Sequence, residues 1–206
     1  MKILVIDVGG TNIKLKLSDR PEIRKTPSGP MLTAAQLVAE VKAATADWPF
    51  DVISVGFPGP VSGGKIVQEP VNLGPGWVGF DFGEALGKPT RLINDAAMQA
   101  LGSYEGGRML FLGLGTGLGN CLIYDNVIAP MELGHLPYRK GRTFEMYVGQ
   151  AGLRRMGKRK WQSAVFDVVA RLRAALQPDY IVLGGGNVKK LDELPPHCRM
   201  GNNDNA

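Results

Sequence analysis

Between residues 2 and 8 the chain is almost continuously apolar, with only Lys2 and Asp7 charged, which is the pattern of a strand buried on both faces. Gly9 and Gly10 then permit a tight turn. Residues 12–17 alternate, with Ile13, Leu15 and Leu17 apolar and Asn12, Lys14 and Lys16 polar. A period of two belongs to a half-buried strand, so the chain is predicted to open with a hairpin closed by glycines. A third short strand is expected near residues 22–26. Thr33 is a candidate cap for a helix from Ala34 to about Asp47, with Leu37, Val38, Val41 and Ala44 along one face. Residues 52–56 and 91–94 read as further buried strands, and residues 96–104 as a helix.

The same device returns in the second half. Residues 109–114 are an apolar strand, 115–119 a glycine turn and 120–124 a returning strand. A helical segment over 161–176 leads into a strand at 180–183 and then Gly184-Gly185-Gly186. Two halves that each open on strand, glycine turn and strand suggest an internal duplication. The division is expected near residues 102–108, giving lobes 1–104 and 105–206. Residues 125–141 are expected to connect elements through short turns.

Composition adds exclusions. The 206 residues hold enough chain for one large domain or two small ones, and 44% hydrophobic with 21% charged residues is ordinary for a globular protein. No apolar run reaches the roughly 18 residues of a membrane span, and the opening stretch is too short for a signal peptide, so a cytoplasmic location is expected. Two cysteines, Cys121 and Cys198, make no disulfide framework and are expected to be reduced and structural. The net charge of +5 is concentrated between Arg139 and Arg173, where ten Lys and Arg side chains face only Glu145 and Asp167. That stretch is either a solvated helical face or a track for a polyanion. Its few aromatics argue against base stacking.

The candidate chemistry lies at strand ends. In Asp7-Val8-Gly9-Gly10-Thr11-Asn12-Ile13-Lys14 the glycines let the backbone approach an anion, the turn N–H groups and the Thr11 hydroxyl can face phosphate oxygens, and Asp7 can hold Mg²⁺ directly or through water. Gly113-Leu114-Gly115-Thr116-Gly117-Leu118-Gly119 is not a dinucleotide fingerprint, because a strand and not a helix follows it. No glycine turn ends in Gly-Lys-Ser/Thr, so a Walker A loop is absent as well. It reads as a second hairpin-type phosphate loop. Asp95, after Asn94 at the end of a strand, sits where a helix cap would sit and also where a general base for a sugar hydroxyl would. Glu132 and His135, separated by a turn glycine, suit vicinal hydroxyls. Asn72 lies in the stiff loop Asn72-Leu73-Gly74-Pro75-Gly76-Trp77. Gly184-Gly185-Gly186-Asn187 permits close approach of a ring or a phosphate, and a helix N-terminus is expected after it.

Taken together these segments resemble the ROK family (repressor, open reading frame, kinase) of sugar kinases, especially its glucokinase and polyphosphate-glucokinase branch. IDVGGTNIK, FPGP, NLGPGW, IND, LGTGLG, ELGH and IVLGGGNVKK fall in the family's order through almost the whole chain. The resemblance implies an α/β, two-lobed actin-like ATPase (ribonuclease H-like) fold, with a mixed five-stranded sheet and flanking helices in each lobe. It implies transfer of a phosphoryl group from ATP or inorganic polyphosphate to the 6-hydroxyl of glucose or a close hexose, with Mg²⁺. Asp95 would be the base; Asn72, Asn94, Glu132, His135 and Glu145 would hold the sugar. Asp7, Gly9, Gly10, Thr11, Asn12 and Lys14, with Gly115, Thr116 and Gly117, would handle phosphates and metal, and Gly185 and Gly186 would lie against the adenosine of ATP. Relatives are commonly homodimers.

Two departures bear on these expectations. Many members carry a zinc-binding cysteine cluster after the Glu-x-Gly-His signature. Residues 136–160 contain no cysteine, so zinc is not expected. Relatives also continue from a loop like 201–206 into an alanine-rich helix, so the chain is either compact or shortened. The family's sugar-sensing regulators carry a DNA-binding module ahead of the first motif, which here begins at residue 7, so nucleic acid is not an expected partner. Kinases of fructose, mannose or an N-acetyl-hexosamine, and a non-catalytic sugar binder, remain the alternatives.

Overall fold

The computed structural model describes residues 1–201; the question of a closing helix falls on 202–206, outside the described residues. The chain divides into two compact units, Met1–Asp95 and the remainder from Ala96.

In the first unit, β1 (Ile3–Val8), β2 (Asn12–Leu17), β3 (Ile23–Pro27), α1 (Ala34–Ala44), β4 (Val52–Phe57), β5 (Val61–Ser62), β6 (Lys65–Ile66), α2 (Phe82–Leu86) and β7 (Thr90–Asn94) follow in order. The sheet runs β3-β2-β1-β4-β7. β1, β2 and β3 pair antiparallel, while β1–β4 and β4–β7 pair parallel. The alternation in β2 is realised: Ile13, Leu15 and Leu17 are fully buried beside Leu4, Ile6 and Val8 of β1. Thr33 and Gln36 form a capping box that starts α1, which satisfies two of the helix's orphan donors. The helix ends at Ala44, three residues short of the expected end. The Thr45 hydroxyl bonds back to the Val41 carbonyl at 2.7 Å, and the Trp48 N–H closes a turn on Thr45. Trp77 is buried with its ring 5.2 Å from Phe57 and 6.2 Å from Phe82.

In the second unit, α3 (Asp95–Leu101) leads to β8 (Arg108–Leu114), β9 (Leu118–Tyr124), β10 (Val127–Pro130), α4 (Phe144–Val148), α5 (Gln150–Met156), α6 (Lys158–Leu176), β11 (Tyr180–Gly184) and β12 (Cys198–Met200). Its sheet, β10-β9-β8-β11-β12, repeats the first in order and direction: β8, β9 and β10 are antiparallel neighbours, and β8–β11 and β11–β12 are parallel. The duplication expected from the two glycine hairpins is therefore carried by all ten strands of the two sheets. Both faces of the second sheet are covered. Leu110, Leu112 and Leu114 of β8 pack with Trp161, Val165, Val168 and Val169 of α6. Met109 and Phe111 point the other way, onto Ala96, Ala97 and Ala100 of α3. This is the period of two of a strand buried on both sides. It also explains why all but the first residue of α3 groups with the second unit, although sequence alone put that helix with the first half.

Three local expectations are corrected. Residues 125–141 contain the edge strand β10 and a 3-10 turn, Leu133–His135. Asp95 is the first residue of α3, not the residue before it. After Asn187 comes only a 3-10 turn, Val188–Lys190, because Leu191 is already extended. Cys121 is fully buried and Cys198 partly so, and burial pushes their thiols up to about 12 and about 11. Among the described residues, no helix is long and apolar enough to cross a membrane.

Candidate functional site

The first hairpin turn is built by hydrogen bonds that draw its carbonyls inward. The Gly9 N–H donates to the Asn12 carbonyl at 3.0 Å. That carbonyl would lie 2.8 Å from a Cβ on residue 9, so the turn needs glycine there. Ser28, which sequence reasoning did not single out, takes two further groups: its hydroxyl donates to the Gly9 carbonyl and its N–H to that of Thr11. Among the described residues the N–H groups of Gly10 and Thr11 have no partner, and both residues are exposed. Consecutive N–H groups of this kind form an anion-binding concavity. Asp7 lies at the end of β1, opposite Lys14 in the register, with its Oδ2 3.0 Å from Lys14 Nζ. Asp7 is buried, and the Lys14 side chain is 41% exposed.

The other candidates of the first unit gather near this turn or at the end of β7. Asn72 lies beside Gly10, its Cβ 3.4 Å from where a residue-10 Cβ would sit. Its loop is fixed by packing and by Glu69. The Gly74 backbone passes against Met31 and Leu32, and Trp77 Nε1 donates to the Gly74 carbonyl at 2.7 Å. The Glu69 carboxylate accepts from the N–H groups of Trp77 and Val78, and the Val78 bond above all holds its carboxyl below the usual range. Asn94 donates through Nδ2 to the Gly59 carbonyl at 3.1 Å, tying the Phe57-Pro58-Gly59-Pro60 turn to the strand end that delivers Asp95.

In the second unit the 115–117 loop repeats the inward turn of its carbonyls. Gly117 O accepts from the Gly115 N–H, Thr116 O from the Gln150 N–H at 3.1 Å, and Gly115 O from both the Gln150 N–H and Asn187 Nδ2 at 3.0 Å. The N–H groups of Thr116 and Gly117 have no partner among the described residues. The sugar-signature candidates adjoin this loop. Glu145, in the first turn of α4, brings one carboxylate oxygen within 3.8 Å of His135 Nε2 and the other against Gly117. Glu132 is exposed at the start of the 3-10 turn. The intervening segment is tied to α6: the Tyr138 hydroxyl donates to Asp167 at 2.6 Å, and Arg139 and Arg171 donate to the same carboxylate oxygen. The Tyr138 hydrogen bond, ahead of the two arginines, holds the Asp167 carboxyl below its ordinary range. Gly185 and Gly186 follow β11, and Gly185 (φ +80°) closes tightly on Leu114.

The basic stretch is partly neutralised within the fold. Arg139 and Arg171 share Asp167, Lys158 pairs with Asp192, and Arg155 donates to the Met146 carbonyl at 2.7 Å. Among the described residues Lys140, Arg142, Arg154, Arg159, Lys160 and Arg173 make no ion pair. A cavity of about 210 Å³ in the first unit, near Lys65, Phe80, Asp81 and Thr90, includes none of the candidate residues. The donors at Asp7 suit Mg²⁺. It is a hard cation that keeps several waters and takes one or two carboxylates plus substrate phosphates, and Lys14 occupies only one of the two Asp7 oxygens.

No protein-family model matches the chain. The polyphosphate glucokinase of Mycobacterium tuberculosis is 26% identical to it over 214 residues, which cover 93% of this chain and 80% of that protein. The crystal structure of an inorganic polyphosphate/ATP-glucomannokinase from Arthrobacter sp. strain KM is also 26% identical, with a TM-score of 0.79 over 97% of this chain and 89% of that one. A ROK family glucokinase from Streptomyces griseus, solved with glucose and AMPPNP, shares the fold at 18% identity, with a TM-score of 0.74 over 92% of this chain and 85% of that one.

Proposed function

We propose that the chain is a sugar kinase of the ROK family, on the side of its polyphosphate glucokinases, and that it phosphorylates the 6-hydroxyl of glucose, with ATP or inorganic polyphosphate as donor. The observation that carries this reading is the pair of glycine hairpins. In each, the carbonyls bond back into the protein and two consecutive N–H groups, of Gly10 and Thr11 or of Thr116 and Gly117, are left for phosphate oxygens. Asp95 accepts the proton of the sugar hydroxyl as the hydroxyl oxygen attacks the terminal phosphorus; the bond from that phosphorus to the bridging oxygen breaks, and ADP or polyphosphate one unit shorter leaves. Asn72 and Asn94 in the first unit, and Glu132, His135 and Glu145 in the second, bind sugar hydroxyls. Asp7 would hold Mg²⁺, which would neutralise charge on the donor phosphates, and Lys14 orients the Asp7 carboxylate. Gly185 and Gly186 would leave room for the adenosine of ATP. Mannose is a second acceptor to test, because the Arthrobacter relative is named a glucomannokinase.

The test is formation of glucose 6-phosphate in a coupled assay with Mg²⁺, with ATP and polyphosphate supplied separately. Turnover with either donor, lost by about 10²-fold or more in Asp95→Ala, is the expected result. Undiminished turnover in Asp95→Ala would remove the base from this reading. Absence of turnover with glucose and mannose under both donors would remove the reading itself.

A further inference from the structure

The second and third glycine turns are joined by one buried side chain. Asn187 is 5% exposed. Its N–H donates to the Leu114 carbonyl at 2.9 Å and its Nδ2 to the Gly115 carbonyl at 3.0 Å. Its Oδ1 accepts from Lys190 Nζ at 2.8 Å. A flipped amide would set its oxygen against the Gly115 carbonyl and its NH₂ against the ammonium, so the orientation is unambiguous. The Lys190 N–H also donates to the Asn187 carbonyl, at 2.9 Å. Backbone and side chain of Lys190 therefore both fold back onto Asn187, and the ammonium stands two hydrogen bonds away from the Gly115 carbonyl.

What distinguishes this lysine is its partner. Lys14 in the first unit is neutralised by Asp7, and Lys158 by Asp192. Among the described residues Lys190 has no carboxylate partner. A neutral amide orients it and leaves its full charge and two of its three donors available. That charge lies beside the loop whose Thr116 and Gly117 N–H groups are unengaged. An anion with several linked phosphates can meet the loop with one group and the ammonium with another.

We propose that Lys190, oriented by Asn187, is a phosphate-binding cation of the donor site, and that its ligand is a phosphate of an inorganic or nucleoside polyphosphate chain adjacent to the group held by the 115–117 loop. Asn187 is a positioning residue: it fixes the lysine and the loop relative to each other. The inference rests on the reading that the second and third glycine turns receive the donor, and it adds the residue that supplies the charge there.

Two measurements test it on the full chain, comparing wild type with Lys190→Met, Lys190→Arg and Asn187→Ala. The first is calorimetric titration with inorganic tripolyphosphate, without sugar or metal. One charge-assisted contact corresponds to about ten-fold in affinity or more. The Kd is expected to rise by that factor in Lys190→Met, to recover to within about three-fold of wild type in Lys190→Arg, and to rise in Asn187→Ala. Lys190 is exposed, and a melting curve for each variant separates loss of fold from loss of binding. No binding by wild type, or equal affinity in Lys190→Met, overturns the proposal. The second is steady-state turnover, in which Lys190→Met should raise the donor KM and leave the glucose KM unchanged; the reverse split also overturns it. If tripolyphosphate binds through Lys190 but no hexose is phosphorylated, the kinase reading has failed and the cation assignment stands.

Discussion

Gly117→Ala separates packing from chemistry with a single methyl group. Gly117 does not have a positive φ, so alanine brings no backbone strain. Its Cβ would lie 2.5 Å from one carboxylate oxygen of Glu145 and 3.6 Å from the carboxyl carbon. The oxygen must retreat by roughly 1 Å to reach ordinary contact at about 3.5 Å. Glu145 is a long side chain and can do so by rotation, at about 0.5–1.5 kcal/mol. The lower entropy of an unfolded chain with alanine in place of glycine offsets about 0.4–1 kcal/mol of that. Stability should therefore change by less than about 1 kcal/mol, within about 4 °C in Tm. If Glu145 holds a sugar hydroxyl, a displacement of this size lowers kcat/KM for glucose by about 10–10²-fold. The assay is hexose-dependence of turnover for Gly117→Ala, Glu145→Ala and the double variant. The double variant should be no worse than Glu145→Ala, since the methyl group acts only through that carboxylate. Additive losses, or a Tm lower by more than 10 °C, would refute the argument, because the loop backbone and not Glu145 would then have yielded.

Other outcomes follow from the two halves separately. Lys14→Met strands the buried Asp7 carboxylate; because the lysine is 41% exposed, the loss should be about 1–3 kcal/mol, below that of a fully buried pair, and urea unfolding measures it. Tyr138→Phe removes the hydroxyl that donates to Asp167 and should cost about 1 kcal/mol at pH 7. The Asp167 pKa is depressed in the fold, so its stabilisation is present above the unfolded value near 4 and is lost as pH falls through the lower folded value. The difference between wild type and Tyr138→Phe should therefore shrink as pH falls from about 4 through the depressed folded value, and a constant difference would contradict that linkage. Thr33→Ala removes half of the α1 capping box and should lower stability by about 1 kcal/mol in the same unfolding assay.

The elements that could be read from sequence were those in which one strand carries its own pattern. β1 is apolar but for Asp7 and β2 alternates, and both lie within a residue of the expected bounds. β12 was missed because Cys-Arg-Met has no periodicity of its own; it is a strand only because β11 pairs with it. The two-residue strands β5 and β6 were missed for the same reason. α4 and α5 are separated by Gly149, whose extended backbone breaks what would otherwise be one helical stretch. Of the candidate residues, Asp7 and Lys14 face each other as a two-residue period across a short turn requires, so their pairing was accessible from sequence. The roles of Ser28, Gln150 and Asn187 were not. Each holds a glycine turn distant in sequence, 72 residues away for Asn187 and Gly115, and neither a lone polar side chain nor, as for Gln150, a backbone N–H gives a sign of which carbonyl it will meet.

The two native thiols have a practical consequence. With pKa values raised to about 12 and about 11, Cys121 and Cys198 are thiolate to roughly one part in ten thousand or less at pH 7, and thiolate is the species that alkylates. Val71, 91% exposed and next to Asn72, can therefore be exchanged for cysteine and labelled with a maleimide dye in the native protein, leaving both natural cysteines in place. A dye there sits one residue from a proposed sugar contact, so a change in its emission on adding hexose, with no phosphoryl donor present, would test that contact optically.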